Sequence, residues 1–130
     1  MLVRMDLARI IIMENGDQQV IVLRERGGER TFPIMIGMYE ALAIDRRVRG
    51  QLPERPMTHD LTANIIQELD GELEKIIISD LKDRTFFAKL LIRRNGDLVE
   101  VDSRPSDAIA LGAGTTTPIY VDDSILREVC

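Results

Sequence analysis

A chain of 130 residues, 45% hydrophobic and 30% charged, is long enough to bury one cooperative core and too short to need two, so a single domain over residues 1–130 is expected. Three Phe, two Tyr and no Trp leave the packing to aliphatic side chains, and five prolines exclude a Pro-rich disordered class. A net charge of -5 excludes the long-range basic field that drives tight nonspecific binding to nucleic acid, while leaving room for local contacts.

The amino terminus mixes Arg4 and Asp6 into its apolar residues. No apolar run reaches the roughly 18 residues of a spanning helix, so neither an export signal nor a membrane partner is expected, and the protein reads as cytoplasmic. Leu2 to Met13 has the β-branched and apolar content of a long strand, Glu14 to Asp17 forms an abrupt polar turn, and Val20 to Leu23 resumes the strand pattern. Asn15-Gly16 and Gly27-Gly28 suit tight turns, the second leading to a strand at Thr31 to Ile36, so the first third reads as an antiparallel meander. From Met38 a helix is predicted, with Ala41, Leu42, Ile44 and Val48 on its apolar side and Glu40, Asp45, Arg46 and Arg49 toward water. Pro53 and Pro56 then remove backbone donors, which leaves Gly50 to Pro56 as a loop.

A second helix starts near Thr58 or Asp60, either of which can accept an amide at its terminus, and Leu61, Ile65 and Leu69 give it an apolar stripe. Asp70-Gly71 stops it. Glu74 to Leu81, Thr85 to Arg93 and Asp97 to Asp102 are predicted strands joined by polar turns, with Phe86, Ala88, Leu90 and Ile92 on one side of the middle strand. A third helix begins near Arg104 to Asp107, with Pro105 in its first turn and Ser103 or Arg104 as its cap, and ends around Gly112 to Gly114. Ile119 to Val121 adds a short strand, and Asp122 to Val129 a terminal helix. These elements make an α+β fold of mixed, largely antiparallel β-sheet meanders packed with three to four helices. The two Asn-Gly-Asp triplets have unlike flanks, so there is no internal repeat.

The chemistry concentrates where the third predicted helix begins, because Asp102, Arg104 and Asp107 meet at one strand-to-helix junction. Elsewhere the signals are weaker. Cys130 stands alone, which gives neither an internal disulfide nor a metal pair. The glycines at 27, 28, 112 and 114 form no phosphate-loop or dinucleotide fingerprint, so no organic cofactor is expected. Arg46, Arg47 and Arg49, and Lys82, Lys89, Arg93 and Arg94, form local positive clusters that suit either phosphate contact or a solvated face.

The run Val101-Asp-Ser-Arg-Pro-Ser-Asp-Ala-Ile-Ala-Leu111, followed by Thr117-Pro-Ile-Tyr-Val121, resembles the bifunctional nuclease domain family. Phe32-Pro-Ile-Met-Ile-Gly37, Arg55-Pro56 and Thr58-His-Asp-Leu61 support the likeness, which extends from Met1 to Val129. The resemblance implies a compact α+β domain whose relatives cleave both RNA and DNA, but it transfers no catalytic set onto these residues. The sequence departs from the family pattern at Gly112-Ala-Gly114, where two glycines should shorten or fray the helix end.

Two readings of the junction stay open. In a nuclease reading, Asp102 and Asp107 hold a divalent cation, Mg2+ or Mn2+, with Asp60 as a third oxygen ligand if the fold brings it near. His59, the only imidazole, transfers a proton, and Arg104 clamps a phosphate oxygen through two donors. The catalytic candidates are then His59, Asp60, Asp102, Arg104 and Asp107, acting on RNA or DNA. In the structural reading, Asp107 favours the helix terminus, Asp102 pairs with Arg104, Asp60 caps its helix and His59 is a bonded surface residue. A noncatalytic alternative is a protein-interaction or regulatory module, a homo-oligomer such as a dimer, that covers exposed sheet edges or an aliphatic surface. Met5, Met13, Met35, Met38 and Met57 would serve it as an adaptable contact surface, although core packing explains most of them with fewer assumptions.

Overall fold

Alternating aliphatic residues and two glycine turns close the predicted meander in the computed structural model, which describes Met1 to Cys130. Its strands are β1 (Leu2–Ile11), β2 (Gln18–Glu25) and β3 (Thr31–Gly37), paired antiparallel in that order. β1 ends before the predicted Met13 because of the buried Gln19. Its side chain accepts from the Met13 amide and donates to the Met13 and Gly16 carbonyls, which draws the turn out of the ladder.

Beyond α1 (Met38–Val48) and α2 (Thr58–Glu68) come β4 (Gly71–Lys82), β5 (Thr85–Arg94) and β6 (Asp97–Ser103). The chain finishes with α3 (Pro105–Ala113), β7 (Ile119–Asp122) and α4 (Asp123–Val129). One seven-stranded sheet runs β3-β2-β1-β7-β4-β5-β6. Its only parallel pair is β4 with β7. The architecture is therefore α+β, with a mixed, largely antiparallel sheet and four helices, as the sequence pattern predicts.

One face of the sheet carries the core: Ile21, Leu23, Phe32, Ile34, Ile76, Ile78, Ala88 and Val121 all lie within one cluster. Strand twist curls this face until Phe32 of β3 meets Phe86 of β5, ring centroids 5.5 Å apart, although four strands separate them in the sheet. The end strand β3 and the start of β5 thus face each other across a cleft, and α3 sits at its rim.

Helix α3 is buried along almost its whole length, and Gly112 is why it can lie so close to the sheet. A Cβ there would come within 2.5 Å of the Ile76 side chain. The helix therefore continues through Gly112 to Ala113 instead of fraying at the first glycine. Gly114 leaves room for another neighbour, since a Cβ would come within 2.5 Å of the Arg47 guanidinium.

The two middle helices depart from their apolar patterns. On α1 it is Ala41, Ala43 and Ile44 that are buried, whereas Leu42 and Val48 face out. On α2 the stripe of Leu61, Ile65 and Leu69 is 52, 49 and 58% exposed, and no residue of the helix is fully buried. Helix α2 lies on α3 and β4 at the margin of the core, so its contact with the fold is partial. Of the methionines only Met5 belongs to the core; Met13, Met35 and Met57 are about half exposed.

Candidate active site at the α1, α2 and α3 junction

Pro105 opens α3 with φ already suited to a helix, and Arg104, in an extended conformation, is its N-cap residue. Asp107 consequently projects from the first turn, where the aligned amides favour a negative charge. The Arg104 guanidinium turns back along its own helix and grips this carboxylate with two donors, Nε to Oδ2 at 2.9 Å and Nη2 to Oδ1 at 3.2 Å. Its remaining nitrogen, Nη1, donates to Glu40 of α1 at 3.0 Å. Arg104 thus ties the start of α3 to α1, and Asp102 is not its partner. Asp102 lies exposed on β6, opposite Lys89 of β5.

His59 comes to the same carboxylate from α2, 48 residues earlier, with Nε2 2.9 Å from Asp107 Oδ1. The imidazole is well shielded, its side chain 14% exposed against 34% for Asp107. Burial opposes ionisation of Asp107, but hydrogen bonds from Arg104 and His59 outweigh it and hold the carboxyl below its ordinary range. The same bonds, to Asp107 first and Glu40 second, raise the affinity of Arg104 for its proton. The pair is a carboxylate-oriented imidazole. With Nε2–H donated to Asp107, the neutral ring has Nδ1 as its proton acceptor.

A second set of bonds fixes the angle at which these helices meet. Asp60 Oδ2 accepts from the Met57 amide at 3.0 Å, so Met57 occupies the N-cap position of α2 and Asp60, not Thr58, is the side chain that accepts an amide at this terminus. Its other oxygen takes Nη1 of Arg47 at 2.5 Å. Arg47 also donates from Nε to the Ala110 carbonyl at 2.6 Å and from Nη2 to the Leu111 carbonyl at 3.3 Å. One shielded guanidinium therefore joins α1, α2 and the carbonyl end of α3. Desolvation works against the charge on Asp60, and the Met57 amide and Arg47 more than compensate, so its carboxyl also lies below the ordinary range.

Tyr39, Glu40, Arg46, His59, Arg104 and Asp107 line a cavity of about 430 Å³ between these helices. Arg46 lines this cavity with other parts of its side chain, while its Nε is closed off from solvent and has no hydrogen-bond partner. A buried donor without a partner costs free energy. Of the residues singled out from the sequence, His59, Arg104 and Asp107 converge, Asp60 lies beside them in the Arg47 clasp, and Asp102 stays apart. Asp60, Asp102 and Asp107 are not brought into any group of three or more His, Cys, Asp or Glu able to hold a metal ion. The oxygens of Asp60 and Asp107 are taken by guanidinium, imidazole and amide donors. Glu40 had no local signal, and the positive cluster of Arg46 and Arg47 did not reveal the Arg47 clasp, because the partners of Glu40 and Arg47 lie up to 64 residues away.

The family profile of the bifunctional nuclease domain matches residues 21–130. The chain belongs to this family. Every member of the His59, Asp107, Arg104 and Glu40 network falls inside the matched span of the bifunctional nuclease domain, as do Arg46, Arg47 and Asp60. An uncharacterized protein of Mycobacterium tuberculosis, present in two strains, is 41% identical over 119 residues, which cover 92% of this chain and 71% of the relative. A protein of Oryza sativa subsp. japonica named Bifunctional nuclease 2 is 29% identical over 118 residues, 88% of this chain but 36% of the rice protein. No helix is long and apolar enough to cross a membrane.

Proposed function

We propose that the chain hydrolyses phosphodiester bonds of RNA and DNA in the cavity formed by α1, α2 and α3. The observation that carries this reading is the His59–Asp107 pair at 2.9 Å in a cavity that Arg46 and Arg104 also line. The family membership and the name of the rice relative support nuclease chemistry. Arg46 and the exposed part of Arg104 bind non-bridging phosphate oxygens. Neutral His59 takes a proton from water at Nδ1 as the water oxygen bonds to phosphorus. The imidazolium returns that proton to the ester oxygen as the bond from phosphorus to it breaks. Asp107 holds the productive tautomer and stabilises the imidazolium. Asp60 is a positioning residue acting through Arg47.

A cage of Asp60, Asp102 and Asp107 around Mg2+ or Mn2+ does not fit this donor arrangement, and no step of the proposed chemistry passes through it. The test is cleavage of labelled single-stranded RNA and DNA by wild type, His59→Ala and Asp107→Asn, each in EDTA and with Mg2+ or Mn2+. Loss of cleavage in both variants, with folding intact by circular dichroism, supports the reading. Absence of wild-type cleavage on every substrate and ion, or full activity in His59→Ala, overturns it.

A second reading, self-association, is favoured by the exposed Leu61, Ile65 and Leu69 stripe of α2. Pairing two such stripes removes apolar area from water without disturbing the cavity.

A further inference from the structure

The cleft between β3 and the β4–β5 hairpin has a volume of about 650 Å³ and is larger than the cavity beside it. Glu40 and Arg104 line both spaces, so the catalytic network described above forms the wall between them. On one side of the cleft runs β3, an end strand of the sheet, with half of its backbone N–H and C=O groups free of any strand partner. Opposite lies the β4–β5 turn. There Arg84 sits at φ 65°, exposed, and takes part in none of the ion pairs of the fold.

We infer that this cleft binds the single-stranded nucleotides next to the phosphodiester held at His59 and Asp107, with Arg84 contacting their backbone phosphate. The inference rests on the proposed nuclease function and adds a second subsite to it. Free backbone groups on β3 suit the edges of unpaired bases, and Met35, Pro33 and Phe86 offer apolar surfaces for their faces. A cleft bounded by a strand and a hairpin admits one strand more readily than a duplex. Its charge is mixed, because Asp17 and Glu40 accompany Arg84 and Arg104 and Glu40 is already paired. Recognition therefore depends on a few local phosphate contacts, in keeping with the acidic chain as a whole, and its salt dependence is shallow.

Fluorescence anisotropy with a labelled single-stranded decanucleotide, across a salt series in EDTA, tests the subsite apart from the chemistry. Arg84→Ala should weaken binding about three- to tenfold and reduce the slope of log K against log salt by about 0.7, the contribution of one single-strand phosphate contact. Asp17→Asn should tighten it. Hydrolysis of bis(p-nitrophenyl) phosphate, too small to reach the cleft from the catalytic cavity, should be unchanged in both variants. Wild type that fails to bind the decanucleotide, or Arg84→Ala that binds it with unchanged affinity and slope, overturns the subsite. Binding that depends on Arg84 in a protein that cleaves nothing upholds the subsite and removes the nuclease reading, so the two failures are distinguishable.

Discussion

Replacing Asp107 by Asn tests the proposed chemistry most directly, because it changes charge while keeping size. The amide can still accept from His59 Nε2–H, but it can equally turn its NH2 toward the ring and select the other tautomer. It also loses the Arg104 fork and the charge that stabilises an imidazolium. General acid–base catalysis by an oriented imidazole contributes about 10²- to 10⁴-fold, so kcat should fall by that range, equivalent to roughly 2.7–5.5 kcal/mol in the barrier. The expected effect on folding is much smaller. The side chain of Arg104 is 63% exposed, which limits that ion pair to about 1 kcal/mol or less, and exchanging a charge-assisted bond to His59 for a neutral one costs about another. A loss of about 2 kcal/mol corresponds to a fall in Tm of roughly 7 °C for a chain of this length. A domain with an ordinary reserve of at least about 5 kcal/mol would remain almost wholly folded, so unfolding could not account for a hundredfold loss of rate. Single-turnover cleavage with thermal melts of wild type, Asp107→Asn, His59→Ala and the double variant provides the check. If the two residues act as a unit, the double variant is scarcely slower than His59→Ala. Equal rates for wild type and Asp107→Asn, or losses that multiply in the double variant, would refute the dyad.

Three further outcomes are expected. Arg47→Ala should destabilise the fold by about 3 kcal/mol, because it leaves a shielded Asp60 carboxylate and two carbonyls of α3 without their donor; a chemical-denaturation shift below about 1 kcal/mol would contradict the clasp. The carboxyls of Asp60 and Asp107 lie below their ordinary value of 3.8, so on acidification the unfolded chain binds these protons first. Their stabilisation is complete above that value and is lost as pH falls through the folded values. Urea midpoints should drop between about pH 5 and pH 2.5 in wild type and less steeply in Asp60→Asn, and equal pH dependence would contradict the assignment. Ile65→Glu, at a half-exposed position on α2, should leave the melting temperature within a few degrees of wild type. If the α2 stripe mediates self-association, sedimentation should show wild type growing with concentration and Ile65→Glu remaining monomeric. A wild type that stays monomeric at all concentrations would remove that reading.

The strands and turns were legible because their causes are local. Alternating aliphatic residues, two Asn-Gly turns and Pro105 at the start of α3 act within a few residues, and the observed elements follow them closely. Helical periodicity, in contrast, shows that a helix has an apolar side without saying what covers it. Leu61, Ile65 and Leu69 have the spacing of a packed stripe and are left about half exposed by the way α2 lies on α3 and β4. The same distinction holds at the site. The sequence by itself marked the Asp102 to Leu111 junction, the family it resembles, and His59, Arg104 and Asp107 as residues with chemistry to offer. Only the tertiary structure decided that Arg104 grips Asp107 and Glu40 instead of Asp102, that Asp60 belongs to Arg47, and that the carboxylates do not converge. The physical reason is that a side chain's partner is set by which elements the sheet and helices bring together, across up to 64 residues of chain, whereas residue spacing constrains only one element at a time.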